Sequence, residues 1–162
     1  MVDLPRSQAI KKLCESHIEA QKDGTLTSQA AIESVLARHI ASVIYAEAEA
    51  CVRDLVMHRV TSATTDPRVT SFSKVASTRL IRSIKISELS GNLNHFGSTC
   101  KDHFSNTLTG KQKTDWDSLM NSRHDTAHEN SGSSEHLTLK DIDGYFASVS
   151  EVLNVFSDSL DK

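Results

Sequence analysis

Hydrophobic positions recur at three- and four-residue steps along nearly the whole chain, and no segment alternates at period two. That pattern predicts helices. A first helix is expected from about Ser7 to Gln21, burying Ile10, Leu13, Cys14 and Ile18, with Gly24 ending it. A second and much longer one runs from roughly Ser28 to Val60. Its apolar set is Ile32, Val35, Leu36, Ile40, Val43, Ile44, Cys51, Leu55 and Val56. Asp66-Pro67 reads as an N-cap followed by proline at the first helical position. The third helix begins there and carries Val69, Phe72, Ala76, Leu80 and Ile84 on its core face. A shorter piece from Ser87 to Phe96 stops at Gly97. Two T-x-x-D starts follow, Thr114 to Asp117 and Thr138 to Asp141. The first opens a helix bearing Trp116, Leu119 and Met120. The second opens a C-terminal helix with Ile142, Tyr145, Phe146, Val149, Leu153 and Phe156 inside. Glu129 to Ser134 is a polar loop between them. The expectation is an all-α fold, an antiparallel helical bundle of about five to seven helices around one long central helix.

Composition agrees with that reading. The chain has 162 residues, the length of a single domain, and only two prolines and six glycines. An all-β chain needs far more turn residues, so a sandwich or barrel is excluded. No apolar run approaches the ~18 residues a membrane span requires. Met1 to Arg6 has no apolar stretch, so no signal peptide is expected there, and the protein is expected in the cytoplasm. Cys14, Cys51 and Cys100 are odd in number and far apart, which supports buried thiols over disulfides or a zinc knuckle. Trp116, Tyr45 and Tyr145 are assigned to packing.

The net charge of −3 argues against indiscriminate coating of nucleic acid, yet the charge is unevenly placed. Between Asp66 and Glu88 lie Arg68, Lys74, Arg79, Arg82 and Lys85, with no acid among them. At about 100° per residue, Arg68, Arg79 and Arg82 fall in one stripe beside the apolar face. That stripe reads either as a solvated face or, with Lys85, as a track for nucleic-acid phosphates. Residues 129–162 instead hold seven acids against Lys140 and Lys162.

The densest polar cluster is Asn121-Ser122-Arg123-His124-Asp125-Thr126-Ala127-His128. Two chemistries fit it. His124 and His128 are four apart, which puts both imidazoles on one helix face, as in a zincin with Asp125 for the usual glutamate. No third ligand stands at a suitable spacing, and aspartate is one methylene short of that general base. Alternatively, Arg123 and His128 form an R-x-x-x-x-H pair. Arginine offers a permanently charged planar fork to phosphate, and histidine titrates near neutrality as acid or base.

The segment Leu119 to His128, behind an apolar helix in an all-α frame, resembles the signature helix of HEPN ribonuclease domains, the RiboL-PSP-like group in particular. The long helix with Tyr45 to Glu49, the Leu93 to Gly97 stop and the Thr138 to Asp158 helix fall where that family has similar segments. The resemblance implies a metal-independent endoribonuclease, without cofactor, acting as a homodimer whose motif helices face one another. It implies Arg123 and His128 as catalytic residues and His124 and Asp125 as supporting ones. Glu47 or Glu49 would anchor Arg123. The products would be a 2′,3′-cyclic phosphate and a 5′-hydroxyl. A bacterial toxin or phage-defence role, with a cognate antitoxin protein as partner, goes with that group. One departure is Glu129, where many relatives have glycine. A carboxylate there favours charged His128 and repels phosphate. Two alternatives stay open: a non-catalytic binding or regulatory module of the same fold, and a di-histidine metal-dependent hydrolase.

Overall fold

A computed structural model of the chain describes residues 2–20, 26–127 and 137–162, the side chains of 26–28 and 122–127 excepted. Among the described residues there are seven helices and no strand. They are α1 (Pro5–Ala20), α2 (Leu26–Ala63), α3 (Pro67–Leu80), α4 (Ile86–Asn94), α5 (Ser98–Thr107), α6 (Gly110–Ala127) and α7 (Leu139–Ser159). The long α2 is the spine, packing against α1, α3, α6 and α7.

Hydrogen bonds between helices give their directions. Glu33 near the start of α2 accepts the Leu139 N–H at the start of α7 (3.1 Å). Arg59 near the end of α2 donates to the Leu160 carbonyl just past α7 (2.8 Å). These two helices therefore run parallel. Along α6 and α7 the order reverses: Gln112 donates to Glu151 (2.7 Å), and one turn on Asp115 accepts from Ser148 (2.6 Å). At the other end of the chain, Val2 meets Asn154 while Lys11 meets Asp143, so α1 also runs against α7. Helices α1, α2, α6 and α7 thus alternate in direction along the chain, as the antiparallel bundle required, and α3 to α5 connect α2 to α6.

The core is continuous. Ile40, Ile44 and Val52 of α2 meet Trp116, Leu119 and Met120 of α6 and Ile142, Val149, Leu153 and Phe156 of α7. Ala37, Ala41 and Ala48 are also buried, and these small residues let neighbours approach the α2 backbone. Two expected starts form as read. Asp66 accepts from the Arg68 N–H ahead of Pro67, and Thr138 and Asp141 make a reciprocal capping box. The carboxyl of Asp141 is held below its ordinary value by the hydrogen bonds from Thr138.

Several expectations are corrected. Helix α6 begins at Gly110, not Thr114, because Thr109 and Gln112 cap it reciprocally: Gln112 accepts the Thr109 N–H (2.8 Å) and Thr109 Oγ1 accepts the Gln112 N–H (3.2 Å). Helix α5 was not expected at all. It buries only Cys100 and Phe104, spaced four apart in an otherwise polar decapeptide. Phe104 meets Phe156 edge-on at 6.0 Å. His103 Nδ1 donates to Ser159 Oγ (2.9 Å), whose own proton goes to the Val155 carbonyl (2.6 Å). Gly97, read as a stop, serves both helices: it follows α4 and precedes α5 at φ 150°, ψ 154°, backbone that is nearly glycine's alone.

Leu13 and Val35, expected inside, are 67% and 65% exposed. On α1 the buried stripe runs through Ser7, Ile10, Cys14 and Ile18, and Leu13 lies about 100° away from Cys14. Val35 sits about 160° from buried Ala37. The largest correction concerns α3. Val69, Phe72 and Leu80, its expected core face, are all exposed, and Ile84 is buried but beyond the helix end. Among the helices, α3 packs closely on α2. It does so through its small side, with Ser77 buried and Thr70, Ser73 and Ala76 half-buried. The helix end expected at Gly24 and the loop expected at 129–134 lie outside the described residues.

Candidate functional site

Helix α6 positions the polar cluster. Trp116, fully buried, donates its indole N–H to the Ile84 carbonyl at 2.6 Å, which pins the α3–α4 connection onto α6. Leu119 and Met120 fasten the next turn to the core. Asp115, on the α7 side, accepts from Ser148 (2.6 Å) and from Lys111. Burial pushes the Asp115 carboxyl up, and those two hydrogen bonds outweigh it and hold it below its usual value. The helix then carries Arg123, His124 and Asp125 in its final stretch, two residues beyond exposed Asn121. Their backbone is described and their side chains are not. His128 lies outside the described residues.

A cleft of about 480 Å³ opens beside this part of α6. Lys113, Asp117 and Asn121 line it at four-residue steps along the helix, and Lys85 and Ser87 line it from the start of α4. Lys113 donates to the Ser105 carbonyl (2.9 Å). Neither Lys85 nor Lys113 has a carboxylate within ion-pair distance among the described residues. Among the described residues the cleft therefore offers ammonium and hydroxyl donors beside one acid, Asp117, a set suited to an anion. Of these residues the sequence singles out Lys85 as a cation and Asn121 as the head of the polar cluster, names Asp117 only as a capping residue, and does not mark Lys113. The missed signal was the i, i+4, i+8 run of polar residues on α6.

The two glutamates have partners elsewhere. Glu47 accepts from the Arg6 and Ser7 N–H groups (3.0 and 2.7 Å) and from Ser7 Oγ (2.5 Å), closing the N-terminus of α1. Glu49 pairs with Arg53 one turn on. Arg53 reaches the Ile81 carbonyl (3.4 Å), while its buried Nε has no hydrogen-bond partner.

Arg68, Arg79, Arg82 and Lys85 are all exposed. They do not form one helical stripe, because α3 ends at Leu80 and Arg82 follows it. Instead Arg82 Nε turns back to the Arg79 carbonyl (2.9 Å) and closes the C-terminus of α3. Arg68 and Arg79 remain on a common side of the helix.

Among the described residues no three His, Cys, Asp or Glu side chains are grouped to hold a metal ion. The cysteines are poor nucleophiles. Cys14 and Cys100 are buried, and burial, with Asp54 and Glu47 nearby, pushes the Cys51 thiol up to about 11. No described helix is long and apolar enough to cross a membrane. The fold is an all-α helical bundle. The chain matches no protein-family model, no curated protein and no solved structure.

Proposed function

We propose that this protein is a metal-independent endoribonuclease of HEPN type, acting as a homodimer in the cytoplasm. The observation that carries the reading is Arg123 in the last turns of α6, five residues before His128, in an all-α bundle with α2 as its spine. One imidazole takes the ribose 2′-OH proton as that oxygen attacks phosphorus. A second returns a proton to the departing 5′-oxygen, and Arg123 neutralises the charge on the phosphoryl oxygens. Two motif segments in a dimer supply both imidazoles. Lys85 and Lys113 of the α6 cleft, neither with a carboxylate in ion-pair distance among the described residues, and the exposed cations from Arg68 to Lys85 support the reading, since both offer phosphate contacts. A toxin or defence effector restrained by an antitoxin protein is the biological role that fits.

Glu47 and Glu49, each already bonded elsewhere, favour the second reading, a binding module of the same fold in which Arg123 has no carboxylate anchor. Cleavage assays in EDTA decide between them. The expected result is cutting by wild type, cyclic-phosphate ends, and a loss of about 10²- to 10⁴-fold in His128→Ala. Arg123→Ala should lose activity too, His124→Ala less, and light scattering should give about 36 kDa, twice the 17.8 kDa chain. RNA binding without cutting supports the module. Cutting that EDTA abolishes and zinc restores supports the di-histidine hydrolase.

A further inference from the structure

The outward side of α3 combines features that no packing role explains. Phe72 is 75% exposed, more than any other large hydrophobic side chain described. Taking buried Ser77 as the inward direction, Phe72, Arg79, Arg68 and Val75 occupy a sector of about 60° pointing directly away from it. Around the helix the order is Phe72, Arg79, Arg68, Val75, and along its axis it is Arg68, Phe72, Val75, Arg79, so the two guanidinium side chains bracket the two apolar ones lengthwise. All four are exposed, and neither arginine has an ion-pair partner among the described residues. From Pro67 to Ser87 there is no acid.

This arrangement selects among occupants. A bilayer-inserting helix needs an unbroken apolar sector with cations at its edges, and here Arg68 and Arg79 interrupt the exposed sector between Val75 and Phe72, with Val69 and Leu80 beyond Phe72. A symmetric contact between two copies would bring four arginines together with no carboxylate. A polyanion that also carries flat apolar faces satisfies both halves of the surface, and single-stranded nucleic acid is such a polymer. We infer that the α3 face is a single-strand RNA platform, with Phe72 stacking on a base and Arg68 and Arg79 holding the flanking phosphates. The inference rests on the ribonuclease reading for RNA as the polymer, and it adds a preference: unpaired segments over duplex, whose bases are not available to Phe72.

The test uses the full-length protein and a fluorescein-labelled 2′-O-methyl dodecamer, which has no 2′-OH to be cut, alone or annealed to its complement. Anisotropy at several salt concentrations should show tighter binding to the single strand. Phe72→Ala should weaken it by about 5- to 140-fold, the range for one lost base–aromatic stack, without changing the salt slope. Arg68→Gln with Arg79→Gln should flatten the slope by about 1.4, or 0.7 per phosphate contact. These positions are exposed, and unchanged melting temperatures confirm intact folds. Wild-type affinity in Phe72→Ala overturns the inference. So does a Phe72→Ala effect confined to oligomeric state, or to binding of phosphatidylserine vesicles, which would assign the face to a second copy or a bilayer. If unmodified RNA is cut but Phe72 is irrelevant to binding, the inference fails and the ribonuclease reading stands. If the stacking effect holds while no RNA is cut, the ribonuclease reading fails and the platform stands.

Discussion

Trp116→Phe tests how α6 is held. The indole N–H donates to the Ile84 carbonyl at 2.6 Å, and both residues are fully buried. Phenylalanine keeps an aromatic ring at the site but removes the donor. The Ile84 carbonyl is then left without that partner in a place water does not reach, which costs about 1–3 kcal/mol. The smaller ring also leaves unfilled space worth roughly 1–2 kcal/mol of lost apolar burial. Together the loss is about 2–5 kcal/mol. For a domain of this size each kcal/mol moves the melting temperature by about 2–4 °C, so a drop of roughly 4–20 °C is expected. Far-UV circular dichroism is the right assay, because Trp116 is the sole tryptophan and its fluorescence vanishes with it. Amide exchange should also quicken around Ile84 and Lys85, whose connection Trp116 holds against α6. A melting temperature within about 2 °C of wild type would refute the argument.

Gly97→Ala forces a side chain onto φ 150°, ψ 154° and should cost about 1–3 kcal/mol in thermal melts. By contrast Gly144→Ala, exposed within α7 with nothing within 4 Å of the new Cβ, should stabilise by about 0.5–1 kcal/mol. The lowered carboxyl of Asp115 stabilises the fold above its unfolded value of 3.8, and that contribution fades as pH falls through the folded value below it. Asp115→Asn should therefore melt lower than wild type at pH 7, with the gap closing below about pH 4 as wild-type Asp115 takes up its proton.

The long helices were legible because each buries a stripe that repeats over several turns. Ile40 and Ile44 on α2, or Ile142, Val149, Leu153 and Phe156 on α7, mark one face whatever the neighbours are. Helix α5 was not, since two apolar residues four apart in a polar decapeptide fall below any periodic signal, and only contact with α4 and α7 makes it a helix. The start of α6 was misplaced for a related reason. Thr114 and Thr109 both head a capping pattern, and the choice depends on where α5 ends. The polar cluster was found from residue types alone. The cleft beside it was not, because Lys85 and Lys113 are 28 positions apart and meet only through the fold.

Helix α3 shows why periodicity identifies a helix but not its inward face. Val69, Phe72, Ala76 and Leu80 form the pattern of a core stripe, yet the covered side of the helix carries Thr70, Ser73, Ala76 and Ser77, and Val69, Phe72 and Leu80 are exposed. A flanking helix with one neighbour has little area to bury, and small side chains allow the closest approach to α2. Val69, Phe72 and Leu80 are then left exposed among the described residues. Exposing Phe72 forgoes burial worth about 1.5–3 kcal/mol. Core formation cannot account for a chain that leaves this on its surface between two arginines with no ion-pair partner among the described residues. The proposed single-strand platform would account for it, and the absence of any acid from Pro67 to Ser87 favours a negatively charged partner for that face.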